Sequence, residues 1–343
     1  MKANFRKVLI LFLILLLISV LFSLSVGAAD ITAGEVIGIF ASKIPIINRF
    51  VGGHYAEEHF TILYYIRLPR IVLAMLVGAA LSSGGAAFQS LLRNPMADPY
   101  IIGVSSGAAL GATLGIILKL NNLIGFMGTS LTAFLGAIIT TFLVYGFSRL
   151  GHRVSVTTLL LAGIAFSSLA SSLISLLMLF NHREIAEIVF WIMGSFSMTT
   201  WKDVYLALPG IFLGVFMIYF YSRELNIMAL GEENAQSMGV DIERTKKILI
   251  FAVSLAASSS VAVSGIIGFV GLMVPHMVRM VVGPDYRFLI PISVLSGSLF
   301  LVLTDTLART LLKPMEIPVG IITACLGGPF FLYILYIYKR KMI

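Results

Sequence analysis

Charge is scarce in this chain of 343 residues. Asp, Glu, Lys and Arg make up 12% of it, against 59% hydrophobic residues. A soluble domain carries about 25% charged and 45–50% apolar residues. So little charge cannot coat a globule of this size, and lipid must be the solvent. Cysteine is nearly absent: Cys325 alone excludes a disulfide framework within the chain. Set in an apolar run, it reads as a small buried filler. Gly is never followed by Lys, which excludes a GxxxxGK(S/T) phosphate loop. The five histidines form no triad and no metal-ligand spacing, so neither catalytic nor metal-binding residues are expected.

What is present is a series of long apolar runs. A span needs about 20 mostly apolar residues, and that ruler places about ten, near 6–28, 66–91, 97–118, 123–147, 155–180, 202–221, 244–265, 268–283, 288–309 and 315–338. The segment 181–201 is partly apolar and reads as a short re-entrant helix. The whole chain, 1–343, is one transmembrane all-α domain. The net charge of +8 would suggest nucleic acid in a soluble chain. Here the basic residues flank apolar runs and concentrate on the side of the N-terminus, at Lys2, Arg6, Lys7, Arg93, Arg149, Arg153, Arg223, Arg244, Lys246, Lys247, Arg279, Arg287, Lys339, Arg340 and Lys341. That asymmetry places both termini in the cytoplasm. The first run has a rival reading as a secretory signal ending at Val26–Asp30. Its core from Val8 to Leu24 exceeds the usual ~7–15 residues of such a signal, which favours a retained helix.

Several polar or small residues are placed where chemistry or packing can use them. Gly103, Gly107, Gly111 and Gly115 recur every four residues and line a helix face that lets another backbone approach. Ser167, Ser168, Ser171, Ser172 and Ser175 share a stripe on the fifth span. Two readings stand for it, a polar pathway lining or hydroxyls bonded to helix backbones. Asn94-Pro95 and Asp98-Pro99 read as a turn and a helix start. Gln89 reads as interhelical glue or pathway. Asp305 and Arg309 are spaced for an i,i+4 ion pair. Arg67, Arg70 and Arg309 fall on the non-cytoplasmic side, against the positive-inside trend. They are either snorkelling anchors or a docking site for an acidic partner. The longest polar stretch, 223–247, is either a connector or a docking element, with a short helix over Met228–Gly239 ending at glycine.

These pieces also form an ordered set of motifs: RLPR at 67–70, SGGAAFQSLLRNPMADP at 83–99, GVSSGAALGA at 103–112, LLLAG at 159–163, WIMGS at 191–195, LGEENAQSMGV at 230–240, GFVGLMVPHMVR at 268–279, and DTLAR, EIPVG and GGPFF within 305–331. Over nearly its full length the chain resembles the permease subunits of ATP-binding-cassette importers for iron-siderophores, haem and vitamin B12, the FecCD type. The resemblance implies a type II importer permease fold of ten helices with both ends cytoplasmic. It implies two copies, or one copy with a homologous permease, forming the pore. Two ATPase subunits would hold ATP and Mg, and an extracytoplasmic binding protein would deliver substrate. It further implies that Arg67, Arg70 and Arg309 meet glutamates of the binding protein, and that Met228, Leu230, Gly231, Ala235, Met238 and Gly239 belong to a coupling element seated on the ATPase. The resemblance also implies a gate at the turn before the fifth span, with Thr157 and Thr158 as candidates; on the pathway reading of the stripe, Ser168, Ser171, Ser172 and Ser175 line the passage.

The chain is thus expected to carry a metal chelate into the cytoplasm without doing covalent chemistry and without binding a cofactor itself. Leu81-Ser82-Ser83-Gly84-Gly85 superficially matches an ATP-cassette signature but lies inside an apolar helix. An oxyanion such as molybdate is the alternative cargo. A stand-alone secondary transporter or channel is the alternative function, and would need coupling charges near the bilayer midplane. None stands well inside a span. A membrane-embedded enzyme has no credible catalytic set.

Overall fold

The computed structural model describes residues 2–27, 29, 31–43, 56–150 and 153–342. Among these, ten helices hold the apolar runs: α1 (Lys2–Ser25), α2 (Leu68–Leu91), α3 (Val104–Ile117), α4 (Gly128–Phe147), α5 (Val156–Phe180), α6 (Trp201–Phe220), α7 (Ile242–Ser264), α8 (Val270–Val282), α9 (Tyr286–Ala308) and α10 (Val319–Met342). All but α3 and α8 are long and apolar enough to cross a bilayer. Of the rival signal-peptide site, Ala28 and Asp30 lie outside the described residues. Upstream of it, α1 is tied into the bundle, because Thr306 Oγ1 on α9 donates to Ser23 Oγ at 2.8 Å.

Three boundaries depart from hydropathy for local reasons. The third run was expected from residue 97, but α3 starts at Val104. Pro99 opens a 3₁₀ turn over Pro99–Ile102, capped by the Asp98 carboxylate, and Gly103 ends it at φ +82°. Gly103 is therefore the N-cap of α3, and it also packs against α4, where a Cβ would stand 2.8 Å from Thr140 Cγ2. The second run begins earlier than expected. A helical turn over Glu57–Thr61 passes through a π-helical stretch, Ile62–Arg67, into α2. Pro69 supplies no N–H there, and a wider turn accommodates the missing bond. Within the 181–201 segment, a 3₁₀ turn, His182–Glu184, leads into the expected short helix, which spans Ile185–Ile192.

The centre is built by α2, α7, α8 and α9. The apolar window of α2 is 83% buried and that of α7 72%, against 22% for α5 and 17% for α10. Without a hydrophobic drive inside lipid, close backbone approach and hydroxyl bonds hold helices together. At Gly78 of α2 a Cβ would stand 2.2 Å from the Gly297 carbonyl oxygen of α9, and the reverse holds at Gly297. Flanking that contact, Ser82 Oγ donates to Ser293 O at 2.7 Å and Ser298 Oγ to Met75 O at 2.8 Å. On the other side of α2, Gln89 Nε2 donates to Leu272 O of α8 at 3.1 Å, which makes it glue between helices. Cys325, expected as buried filler, is exposed. It stands on α10, whose outer face is uncovered among the described residues.

Candidate functional site

Two polar clusters sit at opposite ends of α2, a helix of 24 residues and so about 36 Å long. At its start, Arg67, Arg70 and Arg309 converge and are only 5%, 7% and 9% exposed. Arg70 Nε and Nη2 each donate to the Asp305 carboxylate at 2.9 Å, and Nη1 donates to Glu316 at 2.9 Å. Asp305 is buried, whereas the Glu316 side chain is 41% exposed. The expected Asp305–Arg309 ion pair is thus corrected. A buried carboxylate needs a partner that fills both oxygens, and the guanidinium fork reaching across from α2 does so. Arg309, the C-cap of α9, turns to α1 and donates to Ser23 O and, at 2.8 Å, to Ser23 Oγ. Its Nε has no partner among the described residues. Arg67 donates to the carbonyls of Leu24, Ser25 and Ala29. The three arginines therefore cap the end of α1 and neutralise two acids, and Arg309 is not turned outward.

At the other end of α2, Ser90 Oγ donates to Leu225 O at 3.0 Å. This seats the polar stretch against the bundle. A single helix over Met228–Gly239 was expected, but Gly231 at φ +111° divides the stretch into Ser222–Met228 and Glu232–Ser237. The second helix ends in a Schellman-type turn: Gly239 takes φ +81°, its N–H bonds Gln236 O, and the Val240 N–H bonds Ala235 O. Met228 and Ala235 point inward at 2% and 0% exposure, while Leu230 and Met238 stand out at 62% and 61%. Asn226 fixes the first helix by donating to Asp285 Oδ1 and accepting the Tyr286 N–H, both at 2.9 Å. The Arg287 guanidinium and the Asn226 amide together hold the Asp285 carboxyl down at about 2. Phe5 of α1 packs against Phe288 with tilted rings, centroids 4.6 Å apart, so the start of α1 lies at this same end.

Lys246, which charge counting treats as one more basic residue of the loop end, is a buried cation. It is 3% exposed, and its Nζ lies 2.8 Å from Glu232 and 3.6 Å from Glu243. The signal was in the periodicity. Lys246 precedes Leu249, Ile250 and Val253 at helical spacing, which puts it on the buried face of α7.

The remaining predicted residues lie along α3 and α5. Gly107, Gly111 and Gly115 face α4, where a Cβ would stand 2.5 Å from Gly136 O, 2.1 Å from Thr132 O and 2.3 Å from Thr132 Oγ1. On α5, Ser168, Ser171, Ser172 and Ser175 are exposed. Ser172 and Ser175 donate back to the carbonyls of Ser168 and Ser171, each at 3.0 Å, and Ser167 pairs with Ser106 of α3 at 3.1 Å. Some hydroxyls of the stripe are therefore bonded to their own helix, and the face stays uncovered among the described residues. Thr157 is exposed and Thr158 half-buried in the first turn of α5. The Thr158 N–H is capped by Ser155 Oγ at 3.4 Å.

A model of the FecCD transport family matches residues 15–337. The chain is 47% identical to the cobalamin import system permease of Halobacterium salinarum over 79% of its own length and 72% of the relative's. It is 40% identical to the hemin transport system permease of Yersinia pestis, over 79% and 81%. A molybdate import system permease of Haemophilus influenzae is 34% identical over 98% and 97%. Among solved structures, one described as an inward-facing metal-chelate type ABC transporter superposes with a TM-score of 0.83 at 32% identity, covering 96% of this chain and 99% of that one. With its helices in the same arrangement as that transporter and a family match across most of its length, this chain belongs to the FecCD transport family and is a permease subunit rather than an enzyme.

Proposed function

We propose that the chain is the membrane-spanning subunit of an ATP-driven importer, and that two copies enclose a passage for a bulky metal chelate. The observation that carries this is the uncovered polar face of α5. Its hydroxyls at Ser168, Ser171, Ser172 and Ser175 are exposed on a helix whose apolar window is only 22% buried. Ser172 and Ser175 bond their own helix, but a row of hydroxyls with no covering helix among the described residues suits a second copy and a wet passage better than hydrocarbon. A groove of about 680 Å³ on the side of the bundle, bordered by Phe142, Tyr145 and Phe251 among others, includes none of these serines, so it is not that passage.

At the loop end, Leu230 and Met238 frame a short helix with no cover of its own. Paired exposed apolar residues of this kind suit a groove on a soluble partner, and the ATPase, holding ATP and Mg, is that partner. The excess of basic residues puts this end and both termini in the cytoplasm. The arginine end then faces outward toward the binding protein. Docking carboxylates reach Arg70 by exchanging with Glu316, the half-exposed acid that occupies one edge of the guanidinium. A chelate is the cargo favoured by the relatives named for cobalamin and hemin, and molybdate is the second reading.

The deciding experiment is uptake into proteoliposomes that hold this chain with its neighbouring ATPase and binding protein, offered cobalamin, haem, ferric siderophores and molybdate in turn. ATP-dependent uptake of one chelate is the expected result. Uptake of molybdate alone would overturn the cargo, and uptake indifferent to ATP would overturn the importer.

A further inference from the structure

The Lys246 cluster joins three elements that are remote in sequence. Its ammonium is bound by Glu232, the first residue of the short helix Glu232–Ser237, at 2.8 Å. The same ammonium donates to the Val154 carbonyl at 3.4 Å. Glu243, one turn earlier on α7, lies 3.6 Å from it and accepts the Val154 N–H at 3.1 Å. Val154 ends a two-residue antiparallel pairing, Arg149–Leu150 with Arg153–Val154, and the next residue, Ser155, is the N-cap of α5. One buried cation therefore connects the short loop-end helix to the root of the helix that carries Thr157, Thr158 and the serine face.

Burial gives the contact its mechanical meaning. An ammonium that is 3% exposed is tolerated only while it is paired. Moving Glu232–Ser237 away on its own would strip the charge of its nearest carboxylate. Moving Val154 on its own would leave both of its backbone groups without the bonds α7 supplies. The low-cost motion carries all three elements together. We infer that Lys246 is the positioning residue that passes displacement of the Glu232–Ser237 element to the base of α5, so that work done on the loop end moves the gate helix. This rests on the importer reading above. A bland ion pair that merely stabilises the fold is the competing explanation.

The test is the ratio of substrate taken up to ATP hydrolysed, measured on the full complex in proteoliposomes. Lys246→Met keeps the length of the side chain and removes the charge. Its two acids, with side chains 43% and 35% exposed, can turn to water. We expect hydrolysis to stay within about twofold of wild type while uptake per ATP falls about tenfold, inside the roughly 5–150-fold range of coupling between sites. Lys246→Arg should restore most of the ratio, and Lys247→Met, an exposed neighbour, should leave it unchanged. An unaltered ratio in Lys246→Met, or a parallel loss of uptake and hydrolysis, would overturn the inference. Should Lys246→Met fail to fold, Glu232→Gln decides by the same ratio. A wild-type complex that takes up substrate without ATP would instead sink the importer reading, so the two failures are distinguishable.

Discussion

At each end of the bundle a buried cation stands between two acids, Arg70 at one and Lys246 at the other, yet the two are built differently. Arg70 presents a planar fork to Asp305, whose side chain is 2% exposed, and one further edge to Glu316. Lys246 is a point charge on a flexible stem, and both of its acids reach water. A guanidinium fork fixes direction as well as distance, whereas an ammonium tolerates rearrangement of its partners. The arginine end is thus suited to hold α1, α2 and α9 in one geometry. The lysine end is suited to stay bonded while its partners move.

The sharpest way to break this contrast is to remove the closed partner. Asp305→Ala leaves Arg70 buried with only Glu316 beside it, and truncating one side of a buried pair costs about 3–5 kcal/mol. Thermal unfolding in detergent should show a large loss of stability, and a loss below about 1 kcal/mol would mean that the fork is not a lock. Lys246→Met should cost less, about 1–2 kcal/mol, because its acids are not stranded in a dry interior. The same unfolding assay compares the two directly, and equal costs would erase the distinction. Glu316→Gln should change stability by under about 1 kcal/mol, as expected for a half-exposed pair. If Glu316 holds the place of a docking carboxylate, the same variant should bind the binding protein more tightly in a pull-down titration.

The smallest effect concerns Asp285. Its carboxyl is held at about 2, chiefly by Arg287, below the ordinary range near 4. A depressed carboxyl contributes stability that is present above the ordinary range and is lost as pH falls toward about 2. Acid unfolding should therefore begin at higher pH in Arg287→Ala than in the wild type. An unchanged acid limb would show that Asp285 does not anchor Asn226 and the Ser222–Met228 helix as described.

Much of the fold was legible because membrane solvent imposes length and hydropathy together. Each of α1–α10 overlaps an apolar run found by that ruler, and Gly107, Gly111 and Gly115 marked a packing face by spacing alone. What was missed depended on neighbours. Arg309 and Asp305 have the spacing of a pair, but only the crossing of α2 over α9 shows that Arg70 reaches Asp305 first. Cys325 sits in an apolar run and was read as buried, because hydropathy cannot tell a core face from one turned toward lipid or a partner. The break of the 228–239 segment at Gly231 could have been suspected from the glycine. Its positive φ follows from the two helices being seated separately, one against Ser90 and Asn226's partners and the other on Lys246.

By itself the sequence determined the solvent, the number and approximate placement of the apolar helices, the family, and the lack of a GxxxxGK(S/T) motif. These are local properties, set by the cost of polar groups in hydrocarbon and by short motifs read in order. Tertiary structure alone decided which charges meet. Arg70 and Asp305 are 235 positions apart and Lys246 and Val154 are 92 apart. A buried charge selects its partner by geometry and burial, and both exist only once the helices have packed.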